Sequence, residues 1–160
     1  MSAVPAARED YLVRQLDLLR QFVARLVRDR RPDEVEAALL QAFALQERLL
    51  PLPAAEFLRL DAAGQFAALA RGRPADAAAE RCLAYAELLV HTATLYDLRG
   101  RDDLATGARQ LALHLAALAA VELGDGPART TARQIRGLVP EESLHPPVRE
   151  LLARLDAATD

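Results

Sequence analysis

The stretch of sequence that decides the fold is residues 89–112, LVHTATLYDLRGRDDLATGARQLA. Gly100 is typical of a helix end, because glycine readily adopts the left-handed conformation found there. Asp102 and Asp103 follow where acidic residues favour the start of a new helix. From that point apolar residues recur at alternating intervals of four and three: Leu104, Ala108, Leu111, Leu115 and Leu118. The stretch predicts a central helical hairpin over about residues 75–124.

The composition favours helices along the whole chain. Of 160 residues, 34 are Ala, 30 are Leu and 20 are Arg, whereas Ile occurs once and Asn, Trp and Lys are absent. The common residues are strong helix formers, and residues that favour strands are scarce. We therefore predict one all-α domain over residues 1–160, with about six or seven helices arranged as antiparallel helical hairpins. The absence of Lys also excludes Schiff-base and Walker A chemistry.

Helical patterns on both sides of the central hairpin complete the domain. Residues 9–70 predict an N-terminal hairpin followed by short helices, with Pro32 opening the second helix and Asp61 capping a later one. Residues 127–158 predict the C-terminal helices. The first helix, over about residues 9–30, has a core-facing seam with the same alternating spacing: Leu12, Leu16, Leu19, Val23 and Leu26.

The central hairpin resembles a tetratricopeptide repeat, a helix-turn-helix unit that stacks into superhelices. The spacing of large, small, aromatic and turn positions in that motif is matched by Leu89, Ala93, Tyr96, Gly100, Ala105 and Ala112. Two positions depart from the motif. Arg109 stands where a bulky apolar residue is usual, and Ala117 stands where proline is usual.

A longer part of the chain, residues 11–155, resembles an uncharacterised family of small bacterial tetratricopeptide-like proteins. The resemblance is carried by YLVRQL at residues 11–16, by LLPL at 49–52 followed by FLRLD at 57–61, and by the hairpin at 96–112. It implies a tetratricopeptide-like fold and carries no established activity.

Charge and cysteine content restrict the possible partners and cofactors. The net charge of −3 argues against a general polyanion binder, so we expect no nucleic acid partner. The single Cys82 excludes an internal disulfide, and we expect it to be a small core residue. His-x-x-x-His and Cys-x-x-Cys pairs are absent, so we expect no metal and no cofactor. The longest uncharged stretch, residues 110–121, is too short to span a bilayer, which predicts a cytoplasmic protein without a membrane anchor.

We expect a non-enzymatic protein–protein interaction or scaffold protein. If the tetratricopeptide resemblance holds, the concave face that binds a partner is formed by Glu87, Val90, Thr94 and Asp97, with His91 beside it. The alternative is a small helical ligand-binding protein or enzyme that uses His91 with Glu87, which lies four residues before it. A solvated helix pair is the simpler interpretation of these two side chains.

Two further surface features follow from the pattern. Arg129, Arg133 and Arg136 form a basic stripe, which predicts either a solvated face and intrachain ion pairs or weak contact with phosphates. The first helix carries an apolar flank beyond its seam, at Tyr11, Leu18, Phe22 and Val27. We expect this flank to form a two-fold homodimer. The alternative is that the last helix folds back over it through Val148, Leu151, Leu152 and Leu155.

Overall fold

The computed structural model describes residues 3–29 and 31–158, with the side chains of residues 3–10 and of residue 32 outside the description. All regular secondary structure in this part of the chain is helical, and it contains no strand, which confirms the predicted all-α class. Eight α-helices and one 3-10 turn follow one another: α1 Ala3–Asp29, α2 Pro32–Leu49, α3 Ala54–Phe57, α4 Ala62–Ala70, α5 Ala75–Leu98, α6 Asp102–Glu122, α7 Gly126–Arg136, the 3-10 turn Glu141–Ser143, and α8 Pro146–Ala158.

The central hairpin has the predicted boundaries because its turn is built from local hydrogen bonds. Gly100 adopts φ +74°, which the absence of a Cβ allows. The Arg101 amide donates to the Tyr96 carbonyl at 2.8 Å, and the Gly100 amide donates to the Asp97 carbonyl at 3.0 Å. This is the Schellman arrangement, and it satisfies carbonyls that the end of α5 leaves without helical partners.

Side-chain caps fix the start of two other helices. Asp61 accepts a hydrogen bond from the Gly64 amide at 2.8 Å, which confirms it as the N-cap of α4. Asp125 accepts from the Ala128 amide at 2.9 Å and caps α7 in the same way. Pro32 opens α2, as the sequence predicts. Counted separately, α3 and α4 bring the total just above the predicted six or seven helices.

The helices form a series of antiparallel neighbours around α5. Its N-terminal part meets the C-terminus of α2, where the Arg81 guanidinium donates to the Leu49 carbonyl at 2.5 Å. Its C-terminal part meets the start of α2 through an Arg99–Glu36 ion pair. On its other sides α5 packs against α1, α4, α6 and α7, and α6 packs in turn against α7 and α8.

One buried core extends from α1 to α8. The predicted seam of α1 is buried throughout, and small residues such as Ala112 and Ala116 let α6 pack closely. In the described part of the chain, α6 is also the one helix that is long and apolar enough to cross a membrane by length and composition. Half of its most apolar window is buried inside the protein, so α6 is compatible with the core helix of a soluble protein.

Candidate functional site

The surface of α5 between α1 and α7 forms two adjoining hollows that share Glu87. Towards α1, a hollow of about 260 Å³ is lined by Glu87 together with Val13, Arg14, Asp17 and Arg20. Towards α7, a hollow of about 270 Å³ is lined by Glu87 together with Leu83, Val90, Thr131, Gln134, Ile135 and Leu138. We call the combined surface the α5 groove. Its walls come from three helices and mix apolar, acidic and basic side chains.

Only part of the partner-binding face predicted from the sequence lines the α5 groove. Glu87 and Val90 line the groove together. Thr94 is half-buried, and its hydroxyl donates to the Val90 carbonyl at 3.2 Å. Asp97 is paired with Arg109 of α6 at 2.5 Å, so its charge is used across the hairpin. Arg109, which departs from the tetratricopeptide motif, therefore has a specific ionic partner.

His91 lies next to Glu87 but is mostly buried. Its Nε2 atom is 3.9 Å from the Glu87 carboxylate, its side chain is 14% exposed, and Nε2 has no hydrogen-bond partner among the described residues. Burial lowers the pKa of His91, and the nearby charge of Arg20 lowers the pKa further. Burial thus outweighs the attraction of Glu87, because the two groups are too far apart for a strong hydrogen bond. His91 is therefore neutral at neutral pH.

A larger and more apolar hollow lies between α2 and α6 on another side of α5. Its volume is about 430 Å³, and α3 contributes to its wall. We call it the Tyr85 hollow; its lining residues are Phe43, Gln46, Glu47, Ala54, Leu58, Tyr85, Leu88, Leu89, Thr92, Tyr96, Ala108 and Leu111. Pockets of this volume with mainly apolar walls are typical of ligand sites.

The wall of this hollow contains an unsatisfied polar group. Tyr85 is fully buried, with its ring edge-on to Phe57 at a centroid distance of 5.5 Å and an interplanar angle of 87°. The Tyr85 hydroxyl is buried and has no hydrogen-bond partner among the described residues. A buried hydroxyl without a partner costs about 1–3 kcal/mol of stability. Burial raises the pKa of Tyr85 to about 12, so the group remains a hydrogen-bond donor.

Sequence reasoning missed the Tyr85 hollow because the apolar residues of the second helix do not show which side of that helix its neighbours leave uncovered. In the structure Leu39 is buried, whereas Phe43 and its neighbour Leu40 are exposed. The buried side of α2 instead follows Val35, Ala38, Leu39, Ala42, Leu45 and Leu49. A complete count of apolar residues around the α2 helix would have shown Leu40 and Phe43 as an excess beyond one stripe.

Of the basic stripe, Arg136 forms intramolecular ion pairs in the structure, and the cysteine is part of the core. Arg136 pairs with Glu141 at 3.6 Å and with Asp156 at 3.4 Å, which ties α7 to the C-terminal segment. Cys82 is buried in the core, and burial raises the pKa of its thiol to about 11. A thiol with such a pKa carries almost no nucleophilic thiolate at neutral pH.

The apolar flank predicted on α1 is divided between two sides of the helix. Leu18 and Val27 are exposed, but they are nine residues apart, which is about two and a half helical turns and places them on opposite sides. Tyr11 lies nearer Leu18, and it carries Arg48 above its ring and accepts a hydrogen bond from the Arg48 guanidinium at 2.8 Å. Phe22 is half-buried, with Arg25 above its ring.

The C-terminal helix does not provide the cover considered as an alternative for that flank. Val148, Leu151, Leu152 and Leu155 are all buried, but α8 packs against α6, whereas α1 packs against α2 and α5. The alternative arrangement is therefore wrong, because the apolar side of α8 is used at the other end of the helical series.

Within residues 11–29 and 31–158, apart from residue 32, no group of three or more His, Cys, Asp or Glu side chains is placed to hold a metal ion. Comparisons of the chain with protein-family models, curated proteins and solved structures find no match.

Proposed function

We propose that this protein is a non-enzymatic interaction protein that binds a segment of a partner protein along the α5 groove. The order of helix contacts supports a tetratricopeptide-like stack. The first helices of three successive pairs, α1, α5 and α7, are neighbours, and the second helix of the central pair, α6, packs against α7 and α8. In such stacks the first helices line the concave surface that binds partners.

The observation that carries the proposal is the position of Glu87. This carboxylate lines both hollows of the α5 groove and is 42% exposed, so a chain lying across α5 would pass over it. Apolar contacts are available on either side from Val13 and Leu138, both of which are exposed. The combination fits an amphipathic helix that places apolar residues against these side chains and a basic residue at Glu87.

Other features support a protein partner and a binding role over catalysis. The His91 side chain is neutral and mostly buried, and the Cys82 thiol is fully buried with a raised pKa, so neither has the exposed, activated state of a catalytic group. Arg136 is engaged by two carboxylates, which weakens the basic stripe as a phosphate site. We propose a cytoplasmic location in a bacterium, in line with the composition of the chain.

Affinity capture from the native host with matched variants tests this proposal. Glu87→Arg reverses the charge at the centre of the α5 groove, and Glu150→Arg makes the same change at an exposed position on α8. We expect the parent and Glu150→Arg to retain one partner protein in stoichiometric amount. Glu87→Arg should retain about one tenth of that amount or less. A change of this size corresponds to about 1.4 kcal/mol in binding.

Helicity and melting temperature of all three proteins, measured by circular dichroism, separate lost binding from lost folding. Equal retention of the partner by Glu87→Arg would contradict the α5 groove as the site. Recovery of a small molecule with no protein partner would contradict the proposed function itself.

A further inference from the structure

The Tyr85 hollow is a second concave surface, separate from the α5 groove. It is the largest of the hollows described above, at about 430 Å³, and Ala54 of α3 and Leu58, the residue after α3, contribute to its wall. Around it lie Phe43 and Leu58, large apolar side chains that remain exposed. Apolar surface of this kind gains free energy when a ligand removes it from water.

The polar groups of the wall indicate what kind of ligand fits. The Thr92 hydroxyl is already used, since it donates to the Leu88 carbonyl at 2.8 Å. The Tyr85 hydroxyl is fully buried and has no partner within the described part of the chain. Since buried donors are nearly always paired in proteins, this hydroxyl indicates that an acceptor from outside the chain completes the site.

The charge of the wall restricts the ligand further. Glu47 is the one carboxylate among the lining residues, and the lining includes no Arg and no His. An anionic ligand would therefore meet a like charge and find no positive partner. A cationic ligand would lose hydration against an otherwise apolar wall and find a single, solvent-exposed carboxylate in Glu47. An uncharged ligand avoids both the repulsion and this loss of hydration.

We propose that the Tyr85 hollow binds an uncharged amphipathic organic molecule. Its apolar body lies against side chains such as Phe43 and Leu89, and a carbonyl or ether oxygen accepts a hydrogen bond from the Tyr85 hydroxyl. The hydroxyl has almost no accessible surface, so side chains of the wall shift when a bound oxygen accepts its hydrogen bond. A small molecule inside the hollow can occupy that space, whereas the face of a partner helix stays outside.

A fluorescence titration with propionyl-dimethylaminonaphthalene tests this site. The probe is an uncharged aryl ketone whose emission shifts when its ring leaves water and its carbonyl accepts a hydrogen bond. We expect saturable binding of one probe per chain by the full-length protein. Tyr85→Phe removes only the hydroxyl and should weaken binding about five- to tenfold, the usual contribution of one hydrogen bond. Its melting temperature should not fall, because the change removes an unsatisfied buried group.

Two further variants locate the probe. Ala108→Trp fills the hollow from α6 and should abolish binding, whereas Tyr11→Phe, which removes a hydroxyl on α1 outside the hollow, should leave the affinity unchanged. Anilinonaphthalene sulfonate, an anionic molecule of similar ring size, should bind more weakly than the ketone. Each of these comparisons uses the same titration.

Several outcomes would overturn the proposal. They are absence of saturable ketone binding, equal affinity of Tyr85→Phe and the parent, binding that survives Ala108→Trp, or tighter binding of the sulfonate. A dimer that dissociates on Leu58→Glu would also overturn it, because a second copy of the chain would then cover the hollow.

Discussion

His91 is a buried residue whose protonation opposes folding. Burial and the charge of Arg20 lower its pKa in the folded protein below the ordinary value of 6.5, which applies in the unfolded chain. Above pH 6.5 both states hold neutral His91, and the full stability is present. As the pH falls below 6.5, the unfolded state takes up the proton first, so stability is lost.

We therefore expect the free energy of unfolding in urea to fall between pH 7.5 and pH 5.5, with His91 contributing to the decrease. His114, whose pKa is also lowered by burial, contributes in the same direction. The His91→Leu variant should lose part of this pH dependence. Thr106→Leu, at an exposed position without a titratable side chain, is the control. A parent-like pH profile in His91→Leu would contradict the assignment.

For single residues, the sequence predicts which side chains are neighbours along one helix. It does not predict which side chains of other helices pack against them. The spacing of Glu87 and His91 correctly places them side by side, at 3.9 Å. It does not show that the charge of Arg20, distant in sequence, reaches His91 once α1 packs on α5. Burial sets the sign of the pKa shift and Arg20 adds to it, and a helical periodicity contains no information about either.

At the scale of elements, the α5–α6 hairpin depends on small side chains where the helices meet. Ala105 and Ala112, which match small positions of the tetratricopeptide motif in the sequence, are both buried. Ala105→Leu should overpack this contact and destabilise the protein by about 1–3 kcal/mol. Ala44→Leu, the same change at an exposed position of α2, should alter stability by about 0.5 kcal/mol or less.

Urea unfolding followed by circular dichroism measures both variants under one set of conditions. Equal midpoints for the parent and Ala105→Leu would show that α6 can shift enough to accept the larger side chain. The packing explanation for the small residues of this hairpin would then be wrong.

The sequence predicts where helices begin and end more completely than which of their sides are buried. Gly100, Asp61 and Pro32 act through hydrogen bonds and dihedral angles within a few residues, so their effects are local and visible in the sequence. Phe43 is different, because α2 has more apolar residues than its neighbours can cover. Which of them stays exposed depends on where α3 and α6 lie, and those positions follow from the whole chain.

At the scale of the whole molecule, three of the surfaces described above are open to contacts with other molecules. The α5 groove lies between α1 and α7, the Tyr85 hollow lies between α2 and α6, and the third is the side of α1 that carries Leu18. Val13 and Val27 are separated by fourteen residues, about four helical turns, so Val27 lies on the groove side of α1. The α1 surface available for self-association is therefore narrower than the sequence predicts.

We accordingly expect the predicted homodimer to form through the side of α1 that carries Tyr11, Leu18 and Phe22. Aromatic and arginine side chains are the strongest anchors of protein interfaces, and here Arg48 and Arg25 stand over the two rings. We expect light scattering at tens of micromolar to show a two-fold dimer, and Leu18→Glu to convert it to a monomer. Val27→Glu is the matched control, since Val27 is 47% exposed and Leu18 is 52% exposed, on opposite sides of one helix. Dissociation of the dimer by Val27→Glu but not by Leu18→Glu would show that the interface lies on the groove side of α1. A monomeric parent would refute the dimer, because this apolar flank would then be stable in water.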